Sequence, residues 1–277
     1  MQIDELASET GRPLALLVNL SGGKDSTRML GLVRQKSPGL KTYAVMADTG
    51  FEHVKPVSAV EWSRKIAGHC GLPLTVLRNP NKTYLEMVRR RGMFPSAQFR
   101  RCTSDLKRGP IQKFLRTLPE KVVINCMGMR AEESPQRARQ VPWKLDTEMS
   151  RNGRTVYNWL PIFEETTEQV LRWHWQNDVP LHPVYVPEYH QDGTRGGYLR
   201  RFSCRVCIFA TDHDLRMIHQ HDREAFDQVS ALEQEMGFTM KSGRSLVQII
   251  NAPSVSPQSA PQLSLFGKPQ EDFDRNS

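Results

Sequence analysis

The chain has 277 residues, 38% hydrophobic and 25% charged, with 38 Lys and Arg against 30 Asp and Glu and a formal net charge of +8. That length suits one large domain or a domain with an appendage. No run approaches the roughly 20 apolar residues of a membrane span, and acids stand near the start where a secretory signal would carry basic and then apolar residues. The chain therefore reads as cytoplasmic, without a membrane partner. Its basic balance favours polyanionic partners in general and defines no site.

Leu14–Leu20 is a continuous apolar run of strand length, leading into Ser21-Gly22-Gly23-Lys24-Asp25-Ser26 and then a helical pattern from Thr27 to Gln35. Lys41–Ala47 predicts a second strand, ending at Asp48-Thr49-Gly50. Val57–Cys70 predicts a long helix stopped at Gly71, and Leu74–Leu77 a third strand. Between Arg89 and Arg116 basic residues face the single acid Asp105. Such a run suits a solvated helix face, and beside Cys102 it also suits a phosphate-rich substrate. Lys121–Met127 predicts a fourth strand, followed by Gly128-Met129-Arg130. Alternating strands and helices predict an α/β fold with a doubly wound parallel sheet, whose ligands sit at the carboxyl ends of the strands.

After about Pro161 the pattern becomes helical, with Thr166–Asn177 and His213–Glu235 separated by a Pro-containing loop and a Gly-rich turn at 193–197. The expected organisation is an α/β nucleotide-binding domain over residues 1–160, a mainly helical C-terminal lobe over 161–250, and a disordered tail over 251–277 rich in Pro, Ser and Gln.

A polyphosphate is held by converging backbone N–H groups, which small residues allow at close approach, and a helix N-terminus adds partial positive charge. Ser21, Gly22, Gly23, Lys24, Asp25 and Ser26 supply both. The adjacent glycines are not the Walker arrangement G-x-x-x-x-G-K-[ST]. SGGKDS resembles the signature of PP-loop enzymes, which cleave ATP between its α and β phosphates or bind an adenylyl-sulfate. Asp48-Thr49-Gly50, Arg101-Cys102-Thr103 with Leu106-Lys107, Gly128-Met129-Arg130 with Glu132, Ser134 and Arg137, and Trp159-Leu160-Pro161-Ile162 look like successive blocks of the phosphoadenosine phosphosulfate (PAPS) reductase family. The resemblance runs from about Leu14 to Cys207. It implies that Ser21 to Ser26 hold the phosphates of ATP with Mg2+, with Lys24 and Asp25 catalytic. Asp48 and Thr49 would lie by the nucleoside, and Gly128, Arg130 and Arg137 would face the nucleotide or a substrate phosphate, where the planar guanidinium fork binds two oxygens.

Assimilatory members of that family carry a catalytic cysteine in a C-terminal Glu-Cys-Gly-Leu-His block, which is absent here; the last cysteine is Cys207. Cys102 and the pair in Cys204-Arg205-Val206-Cys207 form a candidate three-thiolate site. In this respect the chain resembles the ATP pyrophosphatase subunits of bacterial DNA phosphorothioation systems, which use cysteines in these regions around an iron-sulfur cluster. Three readings of the trio stay open: an iron-sulfur cluster with an open iron, a Cys102 persulfide delivered by a cysteine desulfurase, or zinc. Arg100, Arg101, Arg200, Arg201 and Arg205 are expected to lower the thiol pKa values and attract phosphate. Arg100, Arg101, Lys107, Arg108 and Arg201 are candidate contacts to DNA. Cys126, inside an apolar strand, and Cys70, at a helix end, read as packing residues.

Gln262-Leu263-Ser264-Leu265-Phe266 places apolar anchors in an otherwise polar tail. It resembles the short peptide by which bacterial replication and repair proteins dock on the DNA sliding clamp, with Gln262, Leu263, Leu265 and Phe266 as the contacts. The function these features imply is ATP-driven activation of a DNA backbone phosphate for sulfur transfer. The alternatives are a PAPS or adenylyl-sulfate reductase, a nucleotide-binding partner of a desulfurase, and a tRNA thiolation enzyme.

Overall fold

The computed structural model describes residues 3, 6, 11–190, 197–202 and 204–253. The Gln262–Phe266 motif and most of the expected tail lie outside them. A six-stranded sheet runs in the order β3-β2-β1-β4-β6-β5, formed by β1 (Leu14–Leu20), β2 (Lys41–Asp48), β3 (Leu74–Arg78), β4 (Val122–Met127), β5 (Trp143–Leu145) and β6 (Thr155–Trp159). All neighbours pair in parallel except β5, which lies antiparallel on the β6 edge. β1 is apolar on both faces because both are covered, as a central parallel strand requires.

On one face Leu14, Leu16, Val18 and Leu20 pack with Met29, Leu30 and Val33 of α1 (Lys24–Lys36) and with Trp62, Ile66 and Ala67 of α2 (Ala59–His69). On the other, Leu17, Val45, Val123 and Val156 meet Leu115 and Leu118. Ser58 and Glu61 close a reciprocal capping box at the start of α2, and Thr83 with Glu86 does the same for α3 (Tyr84–Arg91). The triple arginine 89–91 is thus the last turn of a helix, where positive charge complements the free carbonyls, ahead of the left-handed cap Gly92.

The next helix, α4, has three consecutive segments, Arg101–Thr103, a π-helical stretch Ser104–Arg108 and Gly109–Leu115. Single π turns inside helices recur at functional sites. Beyond the sheet come α5 (Thr167–Gln176), α6 (Asp212–His221), α7 (Arg223–Met236) and α8 (Leu246–Asn251). The last three share one apolar core with elements from the other half of the chain. Leu215, Phe226, Val229, Leu232 and Ile249 join Phe51, Tyr84, Met87, Val88, Phe94 and Leu106, and Cys102 packs against its edge. No helix among the described residues is long and apolar enough to cross a membrane.

Candidate active site

Strand order reverses between β1 and β4, and the carboxyl ends there open into a cleft of about 390 Å³. Ser21, Gly23, Lys24, Asp25 and Ser26 form its floor, where β1 turns into α1. Gly22 takes φ +82, a left-handed value that glycine adopts without strain. The Ser26 hydroxyl donates to the Gly23 carbonyl at 2.9 Å and accepts from the Ser21 N–H at 3.2 Å, which closes the loop on itself. Gly128, at the end of β4, abuts this turn: a Cβ there would sit 3.0 Å from backbone atoms of Asp25 and Ser26. His174 of α5 backs the loop, its Nε2 2.9 Å from the Lys24 carbonyl and its Nδ1 2.9 Å from that of Val179. Burial, partly opposed by those two contacts, lowers its pKa.

The charged wall is tightly paired. Burial alone would raise the Asp25 carboxyl, but Lys24 at 3.0 Å and Arg130 at 2.7 Å together hold it below its usual range. Arg130, only 3% exposed, also bonds Glu132 and the Thr167 hydroxyl. Arg137 pairs with Glu133 beside it. Asp48 and Thr49 lie at the end of β2 and do not line the cleft. Asp48 accepts from Arg78 and from the Gly50 N–H at 2.8 Å, while the Thr49 hydroxyl donates to Glu52 at 2.9 Å. Glu52 itself reaches the cleft and faces Lys107 at 3.7 Å.

Cys102, Cys204 and Cys207 line the same cleft. The loop presents the pair because its two middle residues turn inward. The Arg205 N–H donates to the Phe51 carbonyl at 3.1 Å, its guanidinium bonds both Asp222 carboxylate oxygens at 2.8 and 2.6 Å, and Val206 is fully buried. Arg205 is therefore a buried structural cation, which corrects the expectation that it faces the thiols. The expected lowering of the thiol pKa values is corrected for Cys102 and Cys204. Burial pushes Cys102 up against the opposing charge of Lys107, and burial followed by the Glu52 charge pushes Cys204 up further. Glu52, and after it the thiols, hold the Lys107 ammonium above its usual range. Tyr84, 3% exposed, stacks on Phe51 with its hydroxyl buried and unpartnered, and burial with the three sulfurs nearby raises its pKa. Cys126 is buried on β4, and Cys70 caps α2.

Three thiols are the donor chemistry of an iron-sulfur or zinc site, yet among the described residues no three His, Cys, Asp or Glu side chains converge as a metal-holding set. The arrangement does not fit a bound metal as it stands.

Arg100 and Arg201 stand at the cleft wall, while Arg101 is exposed on the first turn of α4. Arg108 points the other way, to Glu148 at 2.6 Å and Asp146 at 3.7 Å, lining an adjoining cavity of about 540 Å³ that shares Thr103 and Lys107 with the cleft. A ladder of side-chain amides crosses the strands there: Asn19 donates to Asn125 at 2.7 Å, Asn125 to Asn158 at 2.7 Å, and Asn158 to Asp146 at 2.8 Å. Sequence reasoning missed Glu52, Tyr185, Phe202 and Phe209. Glu52, two residues past Asp48-Thr49-Gly50, carried a usable signal. The three aromatics reach the cleft from distant loops and carried none.

A family model described as the phosphoadenosine phosphosulfate reductase domain matches residues 15–195. A protein of Escherichia phage 186, described as an uncharacterized 37.8 kDa protein in the gpa 5' region, is 27% identical over 273 residues, covering 83% of this chain and 77% of that protein. An uncharacterized protein of Methanocaldococcus jannaschii is 28% identical over 178 residues, covering 64% of this chain and only 35% of its own length. Among solved structures, the phosphoadenylyl-sulfate reductase of Candida auris in its phosphate complex shows 16% identity and a TM-score of 0.42, over 64% of this chain and 78% of that one. The U34-tRNA thiolase NcsA of Methanococcus maripaludis with its [4Fe-4S] cluster shows 14% identity and a TM-score of 0.46, over 86% and 70%. With the family match spanning well over half its length, the chain belongs to the phosphoadenosine phosphosulfate reductase domain family.

Proposed function

We propose that the chain is an ATP pyrophosphatase that activates a DNA backbone phosphate for sulfur transfer. The observation that carries this reading is that a phosphate loop and three cysteines share one cleft, with arginines on its wall. A backbone phosphate oxygen attacks the α-phosphorus of ATP, and pyrophosphate leaves with its charge offset by Lys24; Mg2+ bound with the nucleotide would supply further charge compensation. The acceptor is then an adenylylated phosphate. The terminal sulfur of a Cys102 persulfide, loaded by a cysteine desulfurase, attacks its phosphorus and AMP departs. A second thiol, Cys204 or Cys207, attacks the Cys102 sulfur, which frees the phosphorothioate and leaves a disulfide for a thiol reductant to restore. More than one thiol in the cleft serves this sequence. No step runs through a metal at the cysteines. A tail contact between Gln262–Phe266 and the DNA sliding clamp would bring the enzyme to its polymer. Binding of a peptide spanning Ala260 to Lys268 to the clamp tests that part.

The deciding experiment measures pyrophosphate release from ATP by anaerobically purified protein with single-stranded DNA, duplex DNA, tRNA or no polymer, beside thioredoxin-dependent sulfite release from PAPS. Pyrophosphate without sulfite supports the proposal, and stimulation by tRNA alone would move the substrate to RNA. Sulfite release would establish the second reading, a sulfonucleotide reductase, which the description of the matched family favours.

A further inference from the structure

Phe209 stands at the rim of the cleft, two residues past Cys207, with 40% of its surface exposed. Two guanidinium groups flank its ring, Arg100 at 5.7 Å and Arg201 at 6.0 Å from the centroid. Most other arginines near the cleft are neutralised: Arg130 by Asp25 and Glu132, Arg137 by Glu133, Arg200 by Glu188. Among the described residues, Arg100 and Arg201 form no ion pair with a carboxylate, so uncompensated positive charge gathers where the exposed ring is. The platform is also braced from behind. The ammonium of half-buried Lys241 donates to the Ile208 carbonyl at 2.8 Å and to the Ala210 carbonyl, the two carbonyls on either side of Phe209. Phe99, 67% exposed, adjoins Arg100 and Arg101 on the approach to α4.

We infer that Phe209, between Arg100 and Arg201, is the base-stacking platform of a path for single-stranded nucleic acid entering the cleft. This rests on the reading that the acceptor is a nucleic acid, and it specifies the state in which that acceptor binds. A single strand offers unstacked base faces to an exposed ring and phosphates to free guanidinium groups. A duplex offers the phosphates but keeps its base faces covered, so it uses the arginines alone. An isolated sulfonucleotide can pair its phosphates with the arginines, but its single base leaves at least one of the two exposed rings, Phe209 and Phe99, uncovered.

The test is fluorescence anisotropy with the full chain and end-labelled oligothymidylate, oligouridylate and a matched duplex, each of about 16 units, at salt from about 50 to about 200 mM. Without ATP, the single strand is expected to bind on the order of tenfold more tightly than the duplex. Phe209→Ala is expected to weaken single-strand binding on the order of tenfold and Phe209→Trp to preserve it. Arg100→Ala and Arg201→Ala should each flatten the logarithmic salt dependence by about 0.7. The polymer that binds more tightly, DNA or RNA, identifies the source of the strand, and either supports the inference. Equal binding by Phe209→Ala with an unchanged melting temperature would overturn it, as would duplex binding equal to that of the single strand. Pyrophosphate release assayed alongside separates the two failures. Strand binding without pyrophosphate release removes the proposed chemistry, and pyrophosphate release without Phe209-dependent binding removes the path.

Discussion

The Tyr185 hydroxyl accepts the backbone N–H of Lys24 at 3.0 Å, so an amide of the phosphate loop is held by a side chain 161 residues further along. The ring is 1% exposed, and Lys24 Nζ lies 5.7 Å from its centroid. A phosphate oxygen that used that amide would have to displace the phenol.

Tyr185→Phe leaves the amide unpaired in the free protein, at a cost of about 1–3 kcal/mol, which lowers the melting temperature by roughly 5 °C in a chain of this size. Saturating ATP fills the vacant amide, so the variant should gain more from ATP than the parent does. Melting series with and without ATP check this; equal gains would mean that the nucleotide does not use the Lys24 N–H.

Replacing Cys102 with Ser, or Cys204 and Cys207 together, should abolish sulfur incorporation into the acceptor while slowing pyrophosphate release far less, because the thiols act after ATP is cleaved. Parallel assays of pyrophosphate and of sulfur in the product separate the steps. Parallel loss of both signals would place a cysteine in nucleotide binding instead.

The Arg205–Asp222 pair holds the cysteine loop, with both side chains under a tenth exposed. Asp222→Asn strands a buried guanidinium and should destabilise the protein by about 3–5 kcal/mol. Glu224→Gln, removing an exposed outer partner, should cost under about 1 kcal/mol. Thermal melting ranks the two. Alkylation of Cys204 and Cys207 should quicken in Asp222→Asn if the pair positions the loop, and unchanged alkylation would refute that role.

His53 and His182 are both buried, and desolvation lowers each pKa to about 4. His53 has no partner on either ring nitrogen, and His182, Asp222 and Arg205 act on it electrostatically. Each ring stays neutral in the folded protein below the unfolded value of about 6.5, so the unfolded chain binds more protons between about 6.5 and 4. Stability should be full above that window and fall as pH drops through it, by up to about 1.4 kcal/mol per pH unit for each ring. Denaturant midpoints at several pH values test this, and His53→Leu should flatten the acid limb. A parent protein equally stable at both ends of the window would contradict it.

β1 and its loop were legible because an uninterrupted apolar run followed by small residues has few competing readings. Ala59–His69 was legible from its periodicity, with the Ser58 cap trimming the expected start. β6 was not, since Thr155–Trp159 is short and alternates in burial, and its place comes from pairing with β4 across a long loop. α3 lay hidden in a charged run whose arginines are a helix end. The cysteine trio could be listed from spacing, but the inward turn of Arg205 depends on Phe51 and Asp222, which no local pattern reveals. Tyr185 and Phe202 belong to the same class: Phe202 packs against Gly23, where an added Cβ would lie 3.1 Å from it, through a contact that only the folded chain creates.

The core shared by α3, α4 and the three terminal helices bears on how such a site can be inherited or engineered. Phe51, Tyr84 and Leu106 are seated against Leu215, Phe226 and Ile249, so the wall bearing Cys102 and the wall bearing Cys204 and Cys207 are parts of one hydrophobic body. The cysteine loop cannot be moved to another α/β scaffold as a cassette, because the surface that positions it travels with α3 and α4. Recombination that joined this sheet-bearing half to a foreign C-terminal half would lose the geometry of all three sulfurs together.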